Sequence, residues 1–294
     1  MTMSSQRTNL RKLVTAASLA VCATFPAYAD DYPTDPVAAG LVPAALRSEG
    51  TLRIAMPDQG KPYNYQEGNE LKGMEPDLAR AIAATLGLKP EMTLVPYTAA
   101  LPGLQSDKFS VSFGQFYIRA ERLEVVDFVS DWKTFNVFLV TEKSGLRPTD
   151  FKDLCGRRAG AMAGTVNLEG LQKNADKCAE GKIDVQAFPS MASAVLALSS
   201  GRVDAVFVDP QISREAQKTE KGLVESGTLG EGLTAIAIAR NEKTKGLPEA
   251  IQAALVHLDK TGEYKKLLTA HETDYGALTQ FDIYTKGSTP PVYE

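Results

Sequence analysis

The chain has 294 residues, a formal net charge of −4 at pH 7 and no block rich in lysine and arginine. A mildly acidic chain without a basic patch is a poor partner for nucleic acid, so nucleic-acid binding is not expected. The length is sufficient for one large core or two smaller ones.

The first 29 residues have the pattern of a secretory signal peptide. Arg7, Arg11 and Lys12 precede a mostly apolar run over 13–25, and the small-x-small triplet 27–29 ends at Ala29. The run is shorter than the roughly 20 apolar residues of a membrane-spanning helix. Cys22 offers a lipoprotein alternative, although a bulky valine precedes it.

The sequence therefore predicts cleavage after Ala29 and export to the periplasm. Removal of the three positive charges takes the net charge from −4 to −7, and 265 of the 294 residues remain. No later stretch is long and apolar enough to cross a bilayer, so we expect a soluble exported protein.

Two cysteines, Cys155 and Cys178, follow the leader, and an oxidising compartment favours their pairing. The bridge would close a loop of 24 residues, counted from 155 to 178. Two free buried thiols are the alternative. A metal site is not expected, because His257 and His271 are the only histidines and neither forms a ligand cluster with the cysteines.

The chain alternates strand and helix patterns twice, which predicts α/β lobes with mostly parallel sheets. The first set of strands covers 51–56, 92–95 and 109–113, and a helix opens at Glu75-Pro76-Asp77. The second set includes 158–162 and 203–208, with a helix capped by Ser190 between them. A final helix over 249–259 is expected to rejoin the first lobe, and the tail from Thr273 has no assignable pattern.

A candidate ligand group follows a strand in each half. Arg122 comes just past the strand at 109–113, and Asp209 just past the strand at 203–208. Ligands of α/β proteins bind where the carboxyl ends of parallel strands open into a crevice. An arginine there suits a carboxylate, because its planar fork donates two parallel hydrogen bonds. The alternative is a solvated Arg122 paired with Glu121 or Glu124.

Four segments in order resemble the family 3 bacterial extracellular solute-binding proteins, the amino-acid receptors of ABC importers. The resemblance covers roughly residues 51–268. Its most specific segments are Gly73-Met74-Glu75-Pro76-Asp77-Leu78, Glu121-Arg122 with Val125-Val126-Asp127-Phe128, Asp153-Leu154-Cys155-Gly156 with Gly164-Thr165, and Gly201-Arg202-Val203-Asp204-Ala205-Val206 with Asp209.

The resemblance implies two α/β lobes, each a mostly parallel sheet flanked by helices, joined by two hinge strands near 135–140 and 234–239. We expect residues 30–137 with 238–294 to form lobe 1 and residues 138–237 to form lobe 2. Arg122 would then bind a ligand α-carboxylate, and Asp209 the α-ammonium. Gly164 and Thr165, at a helix N-terminus, would add donors toward the carboxylate.

Several residues depart from the family pattern around the expected pocket. Gln115, Tyr117 and Arg119 stand where the family has a glycine and two threonines, which predicts a reshaped pocket floor. Trp132 replaces a tyrosine. The candidate ligand contacts from this comparison are Asp58, Tyr63, Gln115, Tyr117 and Trp132; lobe packing is the alternative for Trp132, and a surface position for Arg119.

The resulting expectation is a periplasmic receptor that binds an amino acid or close derivative without a cofactor, acts as a monomer and delivers its ligand to a membrane permease. An alternative is a cyclohexadienyl or arogenate dehydratase-like enzyme on the same fold. Its acid would have to be Asp58, Glu169 or Glu231. A sensor domain of a chemoreceptor is a third possibility, which requires a membrane tether.

Overall fold

The computed structural model describes Met1, residues 32–179 and residues 181–293, so the predicted signal peptide lies outside the described residues. The helices are α1 Pro36–Leu41, α2 Ala44–Glu49, α3 Met74–Thr85, α4 Ala100–Gln105, α5 Ala120–Leu123, α6 Val166–Ala175, α7 Met191–Ser199, α8 Pro210–Thr219, α9 Leu247–Lys260 and α10 Glu263–Ala270. The strands are β1 Thr51–Pro57, β2 Tyr65–Glu67, β3 Glu70–Lys72, β4 Lys89–Val95, β5 Val111–Tyr117, β6 Val126–Thr141, β7 Arg158–Met162, β8 Asp184–Phe188, β9 Ala205–Val208, β10 Leu223–Ala239 and β11 Ile283–Tyr284.

The main sheet has the order β4-β1-β5-β10-β6-β9-β7-β8. Strand β1 pairs in parallel with β4 and β5, which build the first lobe, and β7 pairs in parallel with β8 and β9, which build the second lobe. Between these groups lie the antiparallel strands β6 and β10. This arrangement confirms the predicted two-lobed α/β fold.

The two long strands β6 and β10 run through both lobes. Strand β6 pairs with β9 from Val137, and β10 pairs with β5 from Thr234. Their mutual register shifts three times, between Ser226 and Ala235. Both strands are longer than the sequence pattern indicated. In β10 the full length was hidden because glycines at 227, 230 and 232 interrupt the apolar run before it resumes.

Helices α6, α7 and α8 of the second lobe each begin with a residue whose side chain caps the helix N-terminus. Thr165 accepts the Leu168 N–H at the start of α6, Ser190 accepts the Ser193 N–H at the start of α7, and Asp209 accepts the Gln211 N–H at the start of α8. Since Asp209 directly follows β9 and Thr165 lies three residues after the end of β7, their caps place both side chains near the carboxyl edge of the sheet.

The tail that had no assignable pattern packs against the main sheet. Strand β11 pairs with β6 at Phe128 and Val129. Farther on, the Tyr293 hydroxyl accepts the Ile118 N–H at 2.6 Å. The Tyr293 ring lies so close to Gly232 that a side chain at this glycine would collide with it. The tail therefore packs on the back of the strands that join the lobes.

Two features of the described residues bear on membrane and metal chemistry. Within them, no helix combines the length and apolar character needed to cross a bilayer. Over the same residues, histidine, cysteine, aspartate and glutamate side chains form no group of three or more that could hold a metal ion.

Cys155 and Cys178 form a disulfide with a Cα–Cα distance of 5.6 Å, as predicted. The bridge ties the turn before β7 to the segment after α6. The disulfide therefore restrains the chain just before β7 and just after α6 in the second lobe.

Replacing both cysteines by alanine is expected to lower the free energy of unfolding by about 3 kcal/mol, because the unfolded chain regains the entropy of an open loop. Urea titrations of the wild type and the double variant, with and without dithiothreitol, measure the loss. Dithiothreitol should shift the midpoint of the wild type alone. Equal midpoints for the oxidised wild type and the double variant would contradict the expected contribution.

Candidate functional site

A small polar cavity of about 40 Å³ lies between the lobes. Its walls come from the carboxyl ends of strands, from the crossing strand β6 and from the starts of α6, α7 and α8. The lining residues are Gln59, Tyr97, Gln115, Tyr117, Thr134, Asn136, Met162, Thr165, Val166, Asn167, Met191, Asp209 and Ile212.

Arg122 lies beside this cavity, and 7% of the residue is exposed. Helix α5 begins directly after β5 and turns the guanidinium back toward the end of that strand. One terminal nitrogen donates to the Tyr117 carbonyl at 3.1 Å, and the other donates to the Gly164 carbonyl of the second lobe at 3.3 Å. The Arg122 side chain therefore bridges the lobes.

Gly164 permits this close approach. Its φ is +79°, and a Cβ there would lie 2.9 Å from the Thr98 side chain of the first lobe. The next residue, Thr165, lines the cavity, but its hydroxyl donates to the Met162 carbonyl at 2.6 Å and accepts the Leu168 N–H at 3.3 Å. In this conformation the Thr165 hydroxyl holds the start of α6.

Asp209 places a buried carboxylate on the opposite wall of the cavity. It accepts hydrogen bonds from the hydroxyls of Tyr63 in the first lobe and Thr134 in β6, and from the Gln211 N–H at 2.9 Å. Burial raises the pKa of Asp209 to about 6, and the three hydrogen bonds oppose that rise.

Gln115 forms part of the cavity floor in an unusual backbone conformation. Its φ is +48°, and among the described residues its buried Nε2 atom has no hydrogen-bond partner. The Gln115 N–H donates to Oε1 of Glu75 at 2.9 Å. Left-handed conformations of residues with a Cβ carry strain, which is often located at functional sites.

Glu75 supports this floor from below and was missed as a site residue by sequence reasoning. It is 1% exposed, and its second oxygen accepts a hydrogen bond from Asn64. Burial, reinforced by the nearby Asp131, raises the pKa of Glu75 well above its usual range. The only sequence signal was its place in the motif Gly73-Met74-Glu75-Pro76-Asp77-Leu78, which does not indicate a contact with Gln115.

A row of polar side chains crosses the cavity from lobe to lobe. The side-chain amide of Asn167 in α6 donates to Oδ1 of Asn136 at 2.7 Å, and Nδ2 of Asn136 in β6 donates to the Tyr117 hydroxyl at 2.9 Å. The Tyr117 hydroxyl in turn donates to the Gly230 carbonyl at 3.0 Å. The two asparagines were not anticipated, because neither belongs to a recognisable motif.

The remaining candidates lie around the cavity rather than in its lining. Tyr63 and Trp132 are fully or almost fully buried, with ring centroids 5.7 Å apart, and the indole N–H donates to the Thr273 carbonyl at 2.9 Å. Asp58 is exposed at the end of β1. Arg119 faces Glu169 of α6 with a nitrogen–oxygen distance of 4.0 Å.

Two lobes joined by crossing strands, with opposite buried charges beside one interlobe cavity, define a two-lobed solute-binding protein. The model of the bacterial extracellular solute-binding proteins, family 3, matches residues 52–272, and the chain belongs to this family.

The arginine-binding protein ArgT of Corynebacterium glutamicum is 26% identical over 246 residues, which are 82% of this chain and 80% of ArgT. Among solved structures, an ancestral arginine-binding protein bound to arginine is 29% identical with a TM-score of 0.70, over 76% of this chain and 98% of that one. The ancestral amino acid-binding protein AncCDT-1, a precursor of cyclohexadienyl dehydratase, is 25% identical with a TM-score of 0.68, over 77% of this chain and 97% of that one.

Gln115→Gly is expected to be about 1 kcal/mol more stable than Gln115→Ala, because alanine keeps the Cβ that is strained at positive φ. At an ordinary strand position the order is reversed, with glycine less stable by roughly 0.5–1 kcal/mol. Urea unfolding of the two variants measures the difference. A more stable alanine variant would show that position 115 carries no left-handed strain.

Proposed function

We propose that this protein is the periplasmic substrate-binding component of an ABC importer and binds a small zwitterionic solute, an amino acid or close derivative, between its lobes. One observation carries the proposal. The buried Asp209 of the second lobe lines the interlobe cavity, and the buried Arg122 of the first lobe lies next to it, bonded to the carbonyl of the lining residue Tyr117. A zwitterion that leaves water needs both of its charges paired, since otherwise the desolvation cost is not recovered.

In this proposal Arg122 binds the α-carboxylate and Asp209 the α-ammonium. On binding, the Arg122 guanidinium would give up a hydrogen bond to a backbone carbonyl and donate to the ligand carboxylate instead. Asp209 would give up one of its hydroxyl donors and accept a hydrogen bond from the ligand ammonium. The Nε2 of Gln115, which has no partner among the described residues, would donate to a ligand acceptor, with Tyr117 and Thr165 completing the polar walls. Tyr63 would act through Asp209 rather than by stacking on the ligand.

Ligand binding would favour the closed arrangement of the lobes, because the solute contacts both. We propose residues 30–137 with 238–294 and residues 138–237 as the bodies that move. The closed monomer would present the solute to a membrane permease. Export, with cleavage after Ala29, would place the receptor in the periplasm.

An enzyme is the second candidate, because AncCDT-1 is a precursor of cyclohexadienyl dehydratase. The three candidate acids for a dehydratase reaction are poorly placed to act as the acid of such an enzyme. Glu169 lies opposite Arg119, Glu231 is 3.6 Å from Lys133, and Asp58 is exposed. None of the three lines the cavity. Assays with prephenate and arogenate should therefore give no product, and any turnover would favour the enzyme.

Arg122→Ala is expected to weaken binding of the solute by roughly 2–5 kcal/mol, because the ligand carboxylate would be buried without its partner. Isothermal titration of the ligand-stripped protein, after a thermal-shift screen has named an amino acid that binds, measures the loss. Arg158→Ala is the matched control, since Arg158 pairs with Asp204 on the outer surface. An Arg122→Ala affinity within threefold of the wild type would rule out this assignment.

Solute affinity is expected to fall about tenfold as the pH is lowered from 7.5 to 5, as follows from a free-state pKa of about 6 for Asp209. Burial raises this pKa, so acid converts the carboxylate to a neutral group that does not attract an ammonium. Titration calorimetry across this range measures the change. The Asp209→Asn variant should bind weakly at every pH, and a wild-type affinity independent of pH would contradict the role of Asp209.

A further inference from the structure

A second cavity, of about 300 Å³, opens at the mouth of the interlobe cleft. The loop after β1 supplies one wall through Gly60 and Lys61, and helices α7 and α8 supply the other. We refer to this cavity as the mouth groove. Since its walls come from both lobes, it exists as a groove only while they are close together.

The mouth groove adjoins the polar cavity. Gln59, Met191 and Ile212 line both spaces, so these three side chains lie between them. The polar cavity alone, at about 40 Å³, is far smaller than the roughly 300–1,000 Å³ that is typical of small-molecule sites. The groove supplies the missing volume.

The chemistry of the two spaces differs. The Asp209 carboxylate and several side-chain amides line the polar cavity, whereas the mouth groove is walled mainly by Met191, Val195, Ile212 and Ala216. Leu196 at its edge is 67% exposed. An apolar ligand group lying along these side chains would remove this surface from water.

The charges at the rim do not favour a cationic ligand group. Glu215 on α8 is paired with Lys218 at 2.5 Å, and Lys61, on the opposite wall, lies 3.9 Å from Glu67. The carboxylate of Glu220 is exposed to solvent at the end of α8. A guanidinium in the groove would therefore meet one neutralised carboxylate, one solvated carboxylate and a lysine.

We propose that the mouth groove is the side-chain half of the ligand site, and that the solute is an α-amino acid with a long, unbranched, mainly apolar side chain. This inference rests on the proposed function. The zwitterionic head would occupy the polar cavity, and the side chain would pass Gln59, Met191 and Ile212 into the groove.

Isothermal titration of the purified, ligand-stripped protein with L-alanine, L-norleucine, L-2-aminooctanoate and L-arginine tests this inference. Each methylene group buried in the groove should tighten binding about fourfold. We expect 2-aminooctanoate to bind at least 30-fold more tightly than alanine, and more tightly than arginine. Equal affinities for alanine and 2-aminooctanoate, or tightest binding of arginine, would overturn the inference while leaving the proposed function intact. Binding of none of the four would count against both.

A variant that fills the groove provides the second measurement. Ala192 is exposed on α7 and lines the groove, so Ala192→Trp should block the groove without disturbing the fold. We expect at least a tenfold loss of affinity for 2-aminooctanoate and less than a twofold change for alanine. Ala45→Trp, at an exposed position of α2, is the control. Parallel losses for both ligands, or no loss for 2-aminooctanoate, would contradict the groove assignment.

Discussion

The need to satisfy one buried carboxylate connects the main parts of this structure. Asp209 starts a helix of the second lobe, yet two of its three hydrogen-bond donors, Tyr63 and Thr134, come from the first lobe and from a strand that joins the lobes. An unsatisfied buried carboxylate would cost several kcal/mol. Asp209 therefore needs either the donors that closed lobes supply or water, and in the proposed function a ligand ammonium takes the place of one of these.

The floor of the cleft is held in place by groups that lie behind it. Gln115 keeps a left-handed backbone because Glu75 accepts its N–H from below, and Glu75 is itself buried and bonded to Asn64. Such an arrangement costs stability. In return it orients a carboxamide whose nitrogen is left without a partner among the described residues.

The strands between the lobes are also restrained from behind. Tyr293 packs on Tyr117 with ring centroids 4.7 Å apart, and its hydroxyl lies between Ile118 and Leu233. Tyr117 reaches Asn136 on its other side. The C-terminal tail thus contacts the same tyrosine that lines the cavity, which links the end of the chain to the geometry of the site.

Local sequence patterns determined much of this architecture. Apolar runs and caps indicated the order of strands and helices, and the positions of Arg122 and Asp209 just past strand ends indicated a crevice with charges of both signs. Tertiary structure alone decided that the Glu75 carboxylate accepts the Gln115 N–H and that the tail packs against Gly232. It also decided that Met191 and Ile212 line both cavities. These contacts join residues distant in sequence, and periodicity reports only which face of an element is buried, not which distant side chain it meets.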